Sequence, residues 1–398
     1  MSGPTTMRIA ISGCGIAGPT LAYWLLRAGH QPTLIEVAPA LRASGYMIDF
    51  WGVGYDVADR MGLLPKIRET GYDLAEVRYL DARGRTAATI SARTLSRELG
   101  DRFTSLPRGD LASILHQSVA DEAETVFDDS IAALSDLGGA VGVHLASGAE
   151  REFDLVIGAD GLHSNVRALA YGAETEFERP LGYYVGAFEC AGYAPRDELA
   201  YVSCGVPGRQ ISRFALRGDR TMFLLVFAAE LLAGAPPKNL DERWSALADV
   251  FGGMGWEWPT IERALATAPE IYFDRVSQIV TTAWSRGRVA LVGDAAACVS
   301  LVAGEGTGLA MTEAYVLAGE LACDEDYERA LRSYESRLRR FVQGKQKSAR
   351  SFAASFTPRT AFGVWLRNQA VQLMALPGMP DLLVGAQMRD DFDLPHYA

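Results

Sequence analysis

The chain has 398 residues, of which 49% are hydrophobic and 22% charged, with a formal net charge of −11. That composition describes a globular protein with ample length for a large core, and its acidic balance argues against nucleic acid as a partner. Five cysteines without a CxxC pair and five histidines without a ligand spacing leave neither a disulfide framework nor a metal site to expect.

The opening MSGPTTMRIAIS has no basic n-region and no cleavage pattern, so it reads as the start of a strand rather than a secretion signal. Residues 7–12 form that strand. Gly13, Gly15 and Gly18 follow as G-x-G-x-x-G, then Leu21, Trp24, Leu25 and Ala28 fall at helical spacing, Gly29 stops the helix, and QPTLIE forms a second strand closing on Glu36. This is a dinucleotide fingerprint in its full context. Gly13 turns the strand, Gly15 lets a pyrophosphate approach the backbone, and Gly18 lets the helix pack close to the sheet. The amides of Ile16 and Ala17 lie at the helix N-terminus, where phosphates bind, and Glu36 is placed to accept hydrogen bonds from a ribose diol. These residues alone do not choose between NAD and FAD.

EVRYLDARGRTAATI (76–90) reads as a hairpin around Ala82-Arg83-Gly84. DLVIGADGLHSNVR (154–167) carries an apolar strand into Gly158-Ala159-Asp160-Gly161, with Ser164 placed to cap a helix. Residues 183–228 are a run of short strands, an antiparallel sheet expected to wall a small-molecule chamber. Tyr184, Phe188, Phe214, Phe223 and Arg213 are the candidates for that wall. Residues 238–268 read as helical and contain GWEWPTIE, which has part of the WxWxIP mark of flavin halogenases but Thr260 and Ile261 in place of Ile and Pro. The longest apolar stretch, MFLLVFAA (222–229), is too short to span a bilayer, so a cytoplasmic location is expected.

GRVALVGDAAACVSLVAGEGTGLAMTEAYVLAGEL (287–321) repeats the strand-glycine-acid logic. Asp294 at a strand tip can hold a sugar-like hydroxyl. Gly304, Gly306, Thr307 and Gly308 open a helix whose free amides, Gly306 to Leu309, can stabilise negative charge on a reduced flavin ring. The tail from about 335 begins with a basic helical segment, read as a solvated face.

GCGIAG near the start, GADG in the middle and GDAA…GEGTG late form an ordered set across nearly the whole chain. In this the chain resembles the single-component FAD-dependent monooxygenases of the para-hydroxybenzoate hydroxylase type, which include aromatic polyketide hydroxylases and tetracycline-inactivating enzymes. The resemblance implies FAD as cofactor, NAD(P)H as a transient co-substrate, and an aromatic or polycyclic small molecule and O2 as partners, with no oligomeric state implied. It implies Arg42, in ALRASGYMIDFWG, and Arg108, in PRGDLASIL, beside the FAD, and Asp160 among the cofactor-binding residues. It also implies that the flavin carries the chemistry, through a C4a-hydroperoxide, and that no catalytic side chain is needed. The chain departs from many relatives at Ala297, where they have His, and at Leu301, where they have a Pro that shapes the substrate side. A non-catalytic or dehydrogenase-type FAD protein and a halogenase stay open as alternatives.

The fold expected is α/β: a Rossmann-like FAD-binding domain with a parallel sheet (7–74, 100–175 and 275–340), interleaved with an antiparallel-sheet substrate domain (75–99 and 176–274), and a C-terminal helical segment (341–398).

Overall fold

A strand covered on both faces carries apolar side chains in an unbroken run, and Ile9, Ala10 and Ile11 of β1 (Arg8–Ser12) are fully buried. The computed structural model describes residues 6–41, 45–92, 102–301, 304–374 and 390–397. After β1 come α1 (Ala17–Arg27) and β2 (Gln31–Glu36), then β3 (Met47–Trp51), α2 (Val53–Arg60) and α3 (Leu64–Thr70). The hairpin β4 (Glu76–Leu80) and β5 (Thr86–Ser91) follows, with its turn at Asp81–Gly84 as expected, and β6 (Phe103–Pro107) returns antiparallel to β3. α4 (Arg108–Gln117) and β7 (Glu124–Phe127) precede a small antiparallel sheet of β8 (Ile131–Asp136), β9 (Val141–Leu145) and β10 (Glu150–Phe153).

β11 (Leu155–Gly158), α5 (Asn165–Ala170) and α6 (Glu174–Phe177) then lead into the long strand β12 (Glu178–Ala191), followed by β13 (Ala200–Val206), β14 (Arg209–Leu216) and β15 (Arg220–Ala228). Two helices, α7 (Leu240–Phe251) and α8 (Trp258–Ala266), precede β16 (Tyr272–Ile279), β17 (Ser285–Arg286) and β18 (Val289–Leu291). The chain closes in α9 (Asp294–Ala297), α10 (Gly306–Cys323), α11 (Tyr327–Phe356) and α12 (Ala361–Met374).

Two large sheets result. The first has the order β17-β18-β11-β1-β2-β7, with every pair parallel except β17 with β18. The second has the order β16-β12-β15-β14-β13-β4-β5, antiparallel except where β13 meets β4. The fold is thus the expected mix of α/β layer and antiparallel sheet with C-terminal helices. The division drawn at residue 275 cuts through β16, whose ladder with β12 ties residues 272–279 to the antiparallel sheet. α10 is apolar nearly all round because it is enclosed by α1, α2 and α11. Among the described residues no helix is long and apolar enough to cross a membrane.

The antiparallel sheet sorts its side chains strictly by parity. Phe223, Leu225 and Phe227 of β15 pack under α7 and α8 with Leu247, Phe251 and Trp258. Met222, Leu224 and Val226 point to the other face, toward β3, β6 and α11. GWEWPTIE is part of the outer packing. Trp258 is buried and stacks on Phe251 with ring centroids 5.6 Å apart, and Ile261 is buried beside it.

Candidate functional site

The three motifs converge at the ends of neighbouring strands, β1, β11 and β18. Gly13 follows β1 with φ +103°, and a Cβ there would lie 2.5 Å from the Ala159 carbonyl oxygen. Only glycine fits this turn. Gly18 lies so close below that its Cβ would meet the Gly13 carbonyl oxygen at 2.0 Å, so the helix is drawn against the strand end. No side chain caps the N-terminus of α1 at Ile16, which leaves the amides around Ile16, Ala17 and Gly18 for an anion.

Glu36 is held at the tip of β2. Its Oε2 accepts from the Cys14 amide at 2.8 Å and its Oε1 from the Ala38 amide at 3.0 Å. Burial and the Glu36 carboxylate push the Cys14 thiol up to about 12, which leaves it an inert filler. The Arg108 guanidinium reaches across the loop: its Nη2 would be 3.2 Å from a Cβ on Gly15. Arg108 also pulls against the buried Asp294 carboxyl, whose pKa burial raises. One cation therefore stands between the first motif and the third. Arg42 lies outside the described residues.

Asp160 is engaged within the chain. Its Oδ1 accepts from the Ser164 hydroxyl at 2.5 Å, and its Oδ2 from the Val166 amide at 3.0 Å and the Ser12 hydroxyl at 3.3 Å. Both oxygens serve the chain itself, closing the start of α5 onto the end of β1. Arg167, fully buried, completes this corner by donating to the Ala295 carbonyl at 3.1 Å, the Leu162 carbonyl at 2.6 Å and Glu174 at 2.9 Å. It ties the GADG turn to the GDAA turn. Nothing in the sequence marks it beyond a charge in the first turn of a helix.

Gly293 turns the chain at φ +66° and donates its amide to Glu313 Oε2 at 2.6 Å. Burial pushes the Glu313 carboxyl well above the usual range. This acid, two turns inside a largely apolar helix, sets the turn that presents Asp294, and its oddity in an apolar run is the signal that could have found it. Gly304 precedes α10, and Gly306, Thr307 and Gly308 form its first turn with no side-chain cap at Glu305. Glu305 instead pairs with Lys345 of α11 at 2.8 Å, and Lys345 pairs with Asp390 at 2.6 Å. Asp390 Oδ2 accepts in turn from the Val53 amide at 2.7 Å, at the start of α2. The segment 390–397 continues along α10, with the Tyr397 hydroxyl donating to Glu320 at 2.7 Å and Arg60 donating to the Pro395 carbonyl at 2.6 Å. Sequence reading missed this clamp entirely.

The motif layer meets the antiparallel sheet at Tyr46 and Tyr272, whose rings are 5.7 Å apart. The Tyr272 hydroxyl donates to Asp274 at 3.2 Å. His163, on the GADG loop, lies 3.1 Å from Asp274 and 2.9 Å from Glu174. The Asp274 carboxylate, with Glu174, pushes His163 up to about 9, so it is cationic at neutral pH and latches the two layers.

The wall candidates divide. Phe214 points to the inner face, against Tyr72 and Tyr201, near Tyr46 and Met47. Leu301 packs from the motif side onto inner-face Val185 and Val226. Tyr184, Phe188 and Phe223 face the opposite way, toward α7 and α8, and Phe188 stacks on Phe223 at 4.8 Å. Arg213 is also on that outer face and fully engaged: it donates to Glu257 at 2.9 Å, Asp197 at 2.5 Å and the Arg196 carbonyl at 3.2 Å. Expecting Arg213, Phe188 and Phe223 on a chamber wall is corrected by their one-residue offset in register, which sends a side chain to the other face. Among the described residues no group of His, Cys, Asp and Glu is arranged to hold a metal ion.

The donor set fits a long dinucleotide. Uncapped helix amides and Arg108 suit a pyrophosphate, Glu36 suits a diol, and the buried Asp294 carboxyl suits a hydroxyl donor.

Comparison with known proteins bears on the same regions. A family model described as an FAD binding domain matches residues 261–348. A flavin-dependent monooxygenase from an unknown prokaryotic organism is 32% identical over 366 residues, covering 91% of this chain and 90% of its own. The crystal structure of tetracycline destructase Tet(51) superposes with a TM-score of 0.83 at 29% identity, covering 99% of this chain and 100% of that one. Klebsiella pneumoniae HpxO complexed with FAD and uric acid superposes at 0.75, with 92% of each chain covered; at 23% identity that likeness speaks for the fold alone.

Proposed function

The chain belongs to the flavin-dependent monooxygenases, with FAD as its cofactor, and from that premise we propose that it spends NAD(P)H and O2 on hydroxylating an aromatic or polycyclic small molecule. The observation that carries the reading is the position of Arg108, which spans the GxGxxG loop at Gly15 and the buried Asp294. A single elongated ligand lying along that line would be held at the first and the third motif.

In this reading Glu36 accepts from the ribose diol, the amides of Gly15 to Gly18 and Arg108 hold the pyrophosphate, and Asp294 accepts from the ribityl chain. The first-turn amides of α10, from Gly306 to Leu309, face the anionic edge of the ring system. Asp160 acts one step back, by fixing the turn beside Gly13. When bound and reduced, the flavin supplies activated oxygen; the protein supplies place and surroundings. The substrate lies between Tyr46, Tyr272 and Leu301 and the inner face of the antiparallel sheet, with Phe214 and Leu224 as apolar contacts that exclude water. Leu301 occupies this wall with an ordinary backbone where a proline would be fixed.

Anaerobic stopped-flow reduction of the bound flavin by NADPH and NADH, with and without phenolic and polycyclic aromatic compounds, tests the proposal. Acceleration by one compound, followed by label from 18O2 in its product, is the expected result. Reduction with no oxygen incorporated would replace hydroxylation by dehydrogenation.

A further inference from the structure

α9 is only four residues long, so the carbonyls at its end have no helical partner of their own. Buried side chains from four places in the chain meet them instead. Arg167 of α5 donates to the Ala295 carbonyl at 3.1 Å, and the Thr281 hydroxyl donates to the Ala296 carbonyl at 2.8 Å. Gln346 of α11 donates to the Cys298 carbonyl at 3.1 Å, which also accepts from the Ile279 amide at 3.2 Å. Gln278 of β16 donates to the Val299 carbonyl at 2.7 Å. All four side chains are buried.

The two glutamines also clasp each other's elements. A side-chain amide nitrogen carries two hydrogens, and here each nitrogen serves two carbonyls. Gln278 donates a second time to the main-chain carbonyl of Gln346 at 2.7 Å, and Gln346 a second time to that of Ile279 at 2.7 Å. The segment they hold has little to hold with, because Ala295, Ala296, Ala297 and Val299 have no polar side-chain atom. The Ala296 and Ala297 amides bond the Gly293 carbonyl, which fixes the turn at Asp294 locally. Cys298 and Val299, further on, are placed by their neighbours. A buried carbonyl that loses its donor is costly where it stands, so the segment would shift without them.

This segment joins Asp294 to Leu301. One face of β16 runs alongside: Tyr272 and Asp274 at the junction of the layers, Val276 in the cluster on which Leu301 packs, then Gln278. We propose that Gln278 and Gln346 are positioning residues for the flavin, which set the segment between Asp294 and Leu301 and so the surroundings of the cofactor there. The proposal rests on the monooxygenase reading, which puts Asp294 on the ribityl chain and Leu301 on the substrate side. It adds the side chains that fix one contact relative to the other.

Hydrogen exchange and visible circular dichroism of the holoenzyme test it. Methionine is close to glutamine in size and has no N–H, so Gln278→Met and Gln346→Met remove the donors. In each, peptides covering 295–301 are expected to exchange about tenfold or more faster, as loss of two buried hydrogen bonds implies. The dichroism of the flavin bands is expected to change, with FAD retained because Glu313 and Arg167 still hold the turn at Asp294. Thr281→Val removes one bond without changing shape. It should act in the same direction on a smaller scale, and it carries the test if a glutamine variant does not fold. Phe223→Ala, which acts on stability from the outer face, should alter neither signal. If either signal keeps its wild-type value in all three variants, or if Phe223→Ala changes both as much, the glutamines only hold the fold and the proposal is overturned. Full FAD affinity in Asp294→Ala would defeat the placement of Asp294 and this proposal with it. Weakened affinity there, beside unchanged dichroism in the glutamine variants, defeats this proposal alone.

Discussion

The two large sheets put their chemistry in different places. The parallel sheet is buried on both faces, and what it offers lies beyond its strand ends: turns at Gly13, Gly161 and Gly293 with φ of +103°, +80° and +66°, and the helix N-termini that follow. The antiparallel sheet offers a face. Its outer side chains pack under α7 and α8, its inner ones against β3, β6 and α11, and neighbouring residues on one strand have unrelated neighbours. In the first sheet backbone geometry is decisive, so a substitution acts by moving the chain. In the second the parity of a residue decides whether it affects stability or recognition.

The sharpest contrast is expected from Gly13→Ala in the parallel layer. A Cβ there has nowhere to go, and the purified variant should contain no flavin by its visible spectrum; full flavin content would contradict the role of this turn. In the antiparallel sheet, Phe223→Ala should cost about 3–5 kcal/mol in denaturant unfolding, as for other buried aromatics, while leaving ligand affinity of the folded protein unchanged. Phe214→Ala should change affinity for aromatic ligands as well. If both variants bind alike, the inner and outer faces do not divide as described.

Two acids sharpen the parallel layer further. Asp294→Ala should weaken FAD binding by roughly 10- to 100-fold, the loss of a hydrogen bond to a charged group, read by fluorescence titration of the apoprotein. Asp160→Ala should instead lower stability by about 1–2 kcal/mol, as loss of a helix cap does, with a smaller effect on FAD. Equal effects on affinity would return Asp160 to direct contact. The smallest effect is expected at the junction. His163 is raised to about 9 in the folded protein from 6.5, so its contribution is full below about pH 6.5 and is lost as pH rises through about 9. The melting-temperature difference between wild type and His163→Gln should shrink over that range; a constant difference would show that the latch does not depend on charge.

The same contrast explains what could be read in advance. The placement of Gly13 and Gly18 in a tight turn and of Glu36 and Asp294 beside strand ends is legible, because such a turn demands glycine at a fixed spacing. The inner and outer faces are not, because both faces of β14 and β15 are buried, so burial gives no parity. Phe188 and Phe223 are as apolar as Phe214. Arg213 was read as a wall residue because its acids, Asp197 and Glu257, are 16 and 44 residues away in sequence. The Lys345–Asp390 clamp was illegible for the same reason, since nothing local to Asp390 points to Val53, 337 residues earlier.

That clamp bears on the order of assembly. The first turn of α10 is braced by Lys345, and Lys345 by Asp390, which also fastens the start of α2. Contacts spanning this much chain close late in folding, after the entropy of a very long loop has been met. The first turn of α10 is therefore expected to become rigid late, whereas the glycine turn after β1 can form from local sequence. A cut between Met374 and Asp390 is then expected to loosen the first turn of α10 while leaving the glycine turn after β1 formed.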